Sequence, residues 1–252
     1  MIKIGVLDSG IGGITTCSAI LHRLGGVDII YYADNKNLPY GAKRPHEIFV
    51  YVEKGIEYFI ERGVDLVVLA CNTATASVIE ALRARFSINI VGIEPAIKPA
   101  LRMNGSILYL ATPLTYKIKR QAQIVEDNKS RIVTCDTTML ASKIENCLPN
   151  FDLLENLTSE LLNGFDKVEN LVLGCTHYCF LRPSIAKLFP NKLVFDGNDG
   201  VALRVQNLLN VPFCDATAHL YLHFSGEDES TKYLQSLMSY NTYISSIVID
   251  ID

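Results

Sequence analysis

Two short stretches of this 252-residue chain carry a nucleophilic side chain in the same setting. Val67-Val68-Leu69-Ala70-Cys71-Asn72-Thr73 and Leu171-Val172-Leu173-Gly174-Cys175-Thr176-His177 each run an apolar strand into a cysteine, followed by amide, hydroxyl or imidazole groups. Cysteine in that place is commonly a small core hydrophobe. A thiol at a helix N-terminus beside donors is instead drawn from its ordinary pKa of about 8.5 toward neutrality. One such thiol on each of two related strand ends suits a two-base proton exchange. One sulfur would take a proton from one face of a carbon, and the other would deliver one to the opposite face.

Two further strand ends carry polar groups. Asp8-Ser9-Gly10-Ile11-Gly12-Gly13 follows a strand and opens a helix, so its glycines can aim backbone N–H groups at an anion. Thr15 stands where a dinucleotide fingerprint needs glycine, and there is no Gly-Lys-Ser/Thr of a P-loop. A tight turn capped by Asp8 is the plainer reading. Residues 34–41 form a polar loop, either a surface connection or a lid whose Tyr40 and Gly41 touch a polar substrate. Cys175 and Cys179 invite a zinc or redox reading. Their x3 spacing disfavours redox, and only His219 and His223 could complete a metal set, so no metal is expected.

Placing these groups requires strands that stop where they begin. Apolar β-rich runs at 2–7, 28–33, 66–70, 89–93, 106–111, 131–135, 170–174 and 193–196 alternate with helix-periodic segments at 14–24, 45–62, 75–86, 115–127, 139–148, 153–163, 183–189 and 200–209. Continuous apolar strands between amphipathic helices mean parallel sheet covered on both faces. Eight such units also fit a TIM barrel. The two cysteines lie 104 positions apart, and the same offset carries Asp8 onto Thr112 and 89–93 onto 193–197. Three strands in register favour two pseudo-symmetric doubly wound α/β domains with an interdomain cleft, over residues 1–97 plus 208–252 and residues 98–207. The tail, with an alternating run at 219–225, a helical one at 228–238 and an apolar one at 244–249, would return to complete the first.

Composition narrows the function classes. Hydrophobic residues at 49% and charged residues at 20% describe a folded domain and exclude wholesale disorder. A net charge of −4 without a Lys/Arg cluster argues against nucleic acid as partner. The apolar stretch 66–71 is far short of the roughly 20 residues that span a bilayer, and Asp8 interrupts any signal-peptide core. Seven scattered cysteines without a CxxC pair point to a reducing compartment, hence the cytoplasm.

Gly5–Gly13, Pro39-Tyr40-Gly41, Ala70–Ala74 and Leu173–His177, with Ser225-Gly226-Glu227 near the end, resemble the cofactor-independent aspartate/glutamate racemase family, and within it the glutamate racemases. The resemblance implies interconversion of L- and D-glutamate for peptidoglycan precursors, with no cofactor and a small-molecule substrate. It implies that Cys71 takes the proton from D-glutamate and Cys175 from L-glutamate, helped by Asp8 and His177. It places Ser9, Pro39, Tyr40, Gly41, Asn72, Thr73, Thr115 and Thr176 at the substrate, as well as Asp8 and His177, and makes Glu145 an accessory acid. Relatives are often dimers, so a homodimer is the assembly it suggests. The chain departs from the pattern at Asn146, at Ser142-Lys143, and at Ala33 and Ala111, where glycine is usual. Two rivals remain open: a racemase of aspartate or another amino acid, and a non-catalytic α/β ligand-binding module whose cysteines merely pack.

Overall fold

In the computed structural model, which describes residues 2–240 and 247–251, the chain alternates strand and helix almost throughout. The elements are β1 (Lys3–Asp8), α1 (Ile14–Leu24), β2 (Asp28–Ala33), α2 (Pro45–Glu61), β3 (Leu66–Leu69), α3 (Asn72–Arg85), β4 (Ile90–Gly92) and α4 (Ile97–Leu101). Next come β5 (Ile107–Ala111), α5 (Pro113–Lys117), α6 (Lys119–Asp127), β6 (Ile132–Thr134), α7 (Leu140–Cys147), α8 (Phe151–Leu162) and β7 (Asn170–Gly174). The chain continues through α9 (Arg182–Leu188), β8 (Leu193–Phe195), α10 (Asn198–Leu209), β9 (Ala218–Phe224), α11 (Ser230–Tyr240) and β10 (Ile247–Ile251).

The strands form two open sheets rather than a barrel, in the orders β10-β9-β2-β1-β3-β4 and β6-β5-β7-β8. Every described strand pair is parallel. The cores β2-β1-β3-β4 and β6-β5-β7-β8 share one order, so the 104-residue offset reflects a structural repeat. In each, the chain leaves its first strand, β1 or β5, toward one side of the sheet and leaves its third, β3 or β7, toward the other. The carboxyl ends of β1 and β3, and of β5 and β7, flank that switch point, where α/β sheets hold ligands. β9 adds to the first sheet beside β2, with Asp28 opposite His219 and Ala33 opposite Phe224. Of the apolar run at 244–249, residues 244–246 lie outside the described residues.

Local signals set several boundaries. Gly25, at φ +66°, ends α1 and its N–H caps Leu21 at 2.8 Å. Its missing side chain lets the chain after α10 pass close by: Gly26 N–H donates to the Cys214 carbonyl at 2.9 Å. The helix expected over 115–127 is two. Thr112 caps α5, and Tyr116 folds back on β5, donating to the Tyr109 carbonyl at 2.6 Å and accepting from Ala111 N–H at 3.0 Å. The backbone opens at Ile118 before α6 begins. The helix expected from Thr75 starts at Asn72, three residues earlier, and Cys71 is its N-cap. Before α9, Thr176–Leu181 forms 3-10 turns, so the second cysteine caps a 3-10 rather than an α-helical segment.

Apolar packing ties the two sheets together. One buried cluster includes Ile4, Val6 and Val68 of the first sheet with Leu108, Leu171 and Leu173 of the second. The turn after β1 meets the turn after β7 at Gly12, where an added Cβ would stand 2.5 Å from Thr176 Oγ1 and 2.7 Å from the His177 backbone nitrogen. No side chain fits without moving that contact. Gly12→Ala is therefore expected to lower the unfolding free energy by about 1–3 kcal/mol, the usual cost of overpacking. Urea denaturation of the variant measures it, and an unchanged midpoint would show that the two turns are free to part.

Candidate active site

A pocket of about 370 Å³ opens where the carboxyl ends of both sheets converge. Cys71 and Cys175 both line it, each the first or second residue beyond its strand. Ser9, Pro39, Tyr40, Gly41, Thr73, Thr176 and His177 line it too. Thus nine of the residues singled out in the sequence share one pocket wall. Both thiols are buried apart from that opening.

The surroundings of the two thiols differ in charge. Cys71 Sγ donates weakly to Ser9 Oγ at 4.0 Å. Behind Ser9 sits Asp8, fully buried, accepting from Ser9 N–H at 2.7 Å and from Thr176 Oγ1 at 2.9 Å. Burial lifts the Asp8 carboxyl to about 6, with His177 and these hydrogen bonds pulling the other way. Burial, then the Asp8 charge, pushes the Cys71 thiol well above its ordinary range, despite a favourable Ala74 backbone N–H. The lowering expected of a helix-capping thiol is therefore overturned at Cys71, because desolvation outweighs the N-terminal donors. His177 Nδ1 lies 4.0 Å from Cys175 Sγ, and Nε2 donates to Glu145 Oε2 at 2.6 Å. Burial opposes the imidazolium, but hydrogen bonds to Cys175 and Glu145 outweigh it and hold His177 well above its ordinary pKa.

Four expected residues stand behind the wall rather than on it. Asp8 is masked by Ser9. Asn72 turns its amide to the Ile93 carbonyl at 3.5 Å. Thr115 bonds Thr112 Oγ1 at 2.9 Å, and it is Thr112 that lines the pocket and meets Thr73 Oγ1 at 3.1 Å. Glu145 backs His177. Tyr40 presents its ring to the pocket while its hydroxyl donates to Asp34 at 2.6 Å; Ser225 donates to the same carboxylate at 2.6 Å and pins the loop to the C-terminal segment. Thr112, Thr137, Thr138, Ser142 and Tyr178 are lining residues that the motifs did not single out. The 104-residue offset from Asp8 was the one available pointer to Thr112. Cys179 points elsewhere, its Sγ donating to the Cys175 carbonyl at 3.8 Å. Among the described residues no group of three or more His, Cys, Asp or Glu side chains is gathered to hold a metal, and no helix is long and apolar enough to cross a membrane.

The arrangement resembles known proteins in sequence as well as geometry. The Asp/Glu/hydantoin racemase family profile matches residues 19–205. The chain belongs to that family. Within the family, the chain is 39% identical over 216 residues to a glutamate racemase of Halothermothrix orenii, covering 82% of this chain and 85% of that one. A glutamate racemase of Leptospira interrogans is 38% identical over 217 residues, 84% of each. The crystal structure of Escherichia coli glutamate racemase, in complex with L-glutamate and activator UDP-MurNAc-ala, superposes with a TM-score of 0.79 at 27% identity, over 99% of this chain and 97% of that one. This racemase-family chain therefore has its two thiols in one pocket on a glutamate-racemase fold.

The raised Asp8 carboxyl makes a stability prediction. A carboxyl whose pKa climbs from 3.8 unfolded to about 6 folded favours the native state while protonated. That contribution is complete below about pH 4 and is lost as pH rises through 6. Asp8→Asn, which cannot ionise, is therefore expected to gain on the wild type between pH 4 and 7, by up to roughly 3 kcal/mol at the plateau. Thermal melts across that range read the difference; a gap independent of pH would mean that Asp8 titrates normally.

Proposed function

We propose that this chain is a glutamate racemase, interconverting L- and D-glutamate without a cofactor by proton exchange between Cys71 and Cys175. The single observation that carries the reading is the pair of cysteines lining one pocket from homologous strand ends of two sheets. The glutamate racemases that the chain resembles supply the substrate.

Abstracting the α-proton of a zwitterionic amino acid without a pyridoxal group leaves charge on the carboxylate with no electron sink. Oriented donors in a water-poor site must carry it. Ser9, Thr73, Thr112 and Thr176 present hydroxyls or helix-start N–H groups at the pocket for that task. From L-glutamate, the Cys175 thiolate takes the α-proton and becomes a thiol, while the Cys71 thiol gives its proton to the opposite face and becomes the thiolate. D-glutamate reverses both transfers. His177, held as a cation by Cys175 and Glu145, stands 4.0 Å from the Cys175 sulfur; Asp8 favours the protonated state of Cys71.

The same reading supplies D-glutamate for peptidoglycan and places the enzyme in the cytoplasm, where its seven free cysteines stay reduced. It divides the chain into a first domain of residues 1–97 with 208–252 and a second of 98–207, each carrying one sheet, and takes a homodimer as the assembly for light scattering to test.

Incubation with either enantiomer in D2O, without added cofactor, is expected to give loss of optical rotation and deuterium at Cα. Cys71→Ala and Cys175→Ala should each abolish racemisation, whereas core truncation alone costs stability of at most a few kcal/mol. Full turnover in either variant would sink the two-thiol mechanism, and turnover of aspartate in place of glutamate would reassign the substrate.

A further inference from the structure

Glu145 is a buried carboxylate with a cation on each oxygen. Oε2 takes the His177 ring, and Oε1 accepts from Lys232 Nζ at 3.1 Å. Lys232 belongs to α11, at the far end of the chain, and it is only partly buried. Neither Glu145 nor Lys232 lines the pocket that holds the thiols. Both line a separate hollow of about 400 Å³ on the other side of the Glu145 carboxylate. A line of contacts thus runs from that outer hollow through Lys232, Glu145 and His177 to the Cys175 thiol.

We propose that Lys232 is a positioning residue for the racemisation: from the C-terminal helix it holds Glu145 ionised and turned toward His177, and so keeps the Cys175 thiol paired with an imidazolium. The inference rests on the two-thiol reading and extends it to a residue that never touches substrate. Physically, a carboxylate taken out of water needs compensation at both oxygens. His177 alone would satisfy one and leave the other without a cation. Burial works against the ionised Glu145, and His177 and Lys232 together outweigh it, so that its carboxyl sits below the ordinary range.

The other groups around this pair do not replace Lys232. Tyr31 from β2 and Tyr233 from α11 face Glu145 as neutral phenols, their ionisation opposed by burial and then by nearby acids. Asp8, across the turn after β1, is an acid as well. Glu229 shares Lys232 at 3.3 Å and holds it over Glu145. Lys36 and Glu227 line the same outer hollow, but neither forms a hydrogen bond to Glu145. Among the described residues Lys232 is therefore the only lysine or arginine bonded to that carboxylate.

The pH dependence of kcat/KM separates this role from simple packing. The two enantiomers have equal free energy, so kcat/KM must change equally in both directions, and a directional bias is not the signal to seek. With Lys232→Met, Glu145 takes up a proton at higher pH, His177 loses its counter-charge sooner, and the acid limb moves upward by about one pH unit. Lys232→Arg keeps a cation in reach and should keep the limb in place. In a Glu145→Gln background, Lys232→Met should move nothing further. The side-chain carboxyl 13C resonance of Glu145 reports the same shift without turnover, so it tests Lys232 even if the chain fails to racemise glutamate, a failure that would count against the proposed function alone. An unmoved resonance midpoint in Lys232→Met would overturn the proposal. So would equal losses of kcat in the Met and Arg variants with no movement of the limb.

Discussion

Two sulfur atoms sharing one water-poor pocket cannot both be anions, because like charges in a low-dielectric site repel too strongly. The rest of the site is arranged around that constraint. On the Cys71 side stands a buried acid, Asp8, which favours the thiol. On the Cys175 side stands His177, held cationic by Glu145 against the cost of burial. The resting molecule is thus electrically lopsided, although the two strands that carry the sulfurs are related by repeat. In the proposed reaction that lopsidedness must be small enough for the protons to trade places at each turnover, which the donors around the substrate make feasible by taking up the charge between the two transfers.

The architecture supplies the symmetry that the electrostatics then break. Each sheet presents its central strand and the next one at a switch point, and facing the two switch points toward each other brings four strand ends to one pocket. Gly12 and Thr176 are where the facing turns touch, and the Thr176 hydroxyl is already bonded to Asp8 in the other half. A second bridge crosses at Thr73 and Thr112. The pocket is therefore closed on two sides by hydrogen bonds between sheets, not only by packing. The Asp34 carboxylate does similar work for the loop, gathering Tyr40 and Ser225 so that the C-terminal segment braces the residues that roof the site.

Much of this was legible before any coordinates. The strands, their parallel character, the repeat and both cysteines follow from apolar runs and from two similar strand ends. What failed did so for identifiable reasons. The helix over 115–127 is interrupted because Tyr116 is hooked to β5, a tertiary contact that periodicity does not contain. Thr115 looked like the substrate threonine, yet Thr112 caps α5 and so occupies the wall, leaving Thr115 one layer behind. Cys71 was expected to ionise easily at its helix start; the local donor is there, but depth of burial and a neighbouring acid outweigh it. Lys232 carried no motif at all. Its relation to Glu145 spans 87 positions and exists only once α11 is laid against the site.

Side-chain order along the chain determined which groups this protein has to work with: two thiols after two apolar strands, glycine turns that admit close approach, and an acid or hydroxyl at each strand end. Those depend on local sterics and on the two-residue and 3.6-residue periods, which any stretch of sequence displays on its own. Protonation was decided elsewhere. Whether a thiol, an imidazole or a carboxyl holds its proton depends on the water it has lost and the charges a few ångströms away, and those neighbours come from distant segments, Glu145 and His177 lying 32 positions apart and Asp8 and Thr176 168 apart, assembled only when the two sheets close on each other.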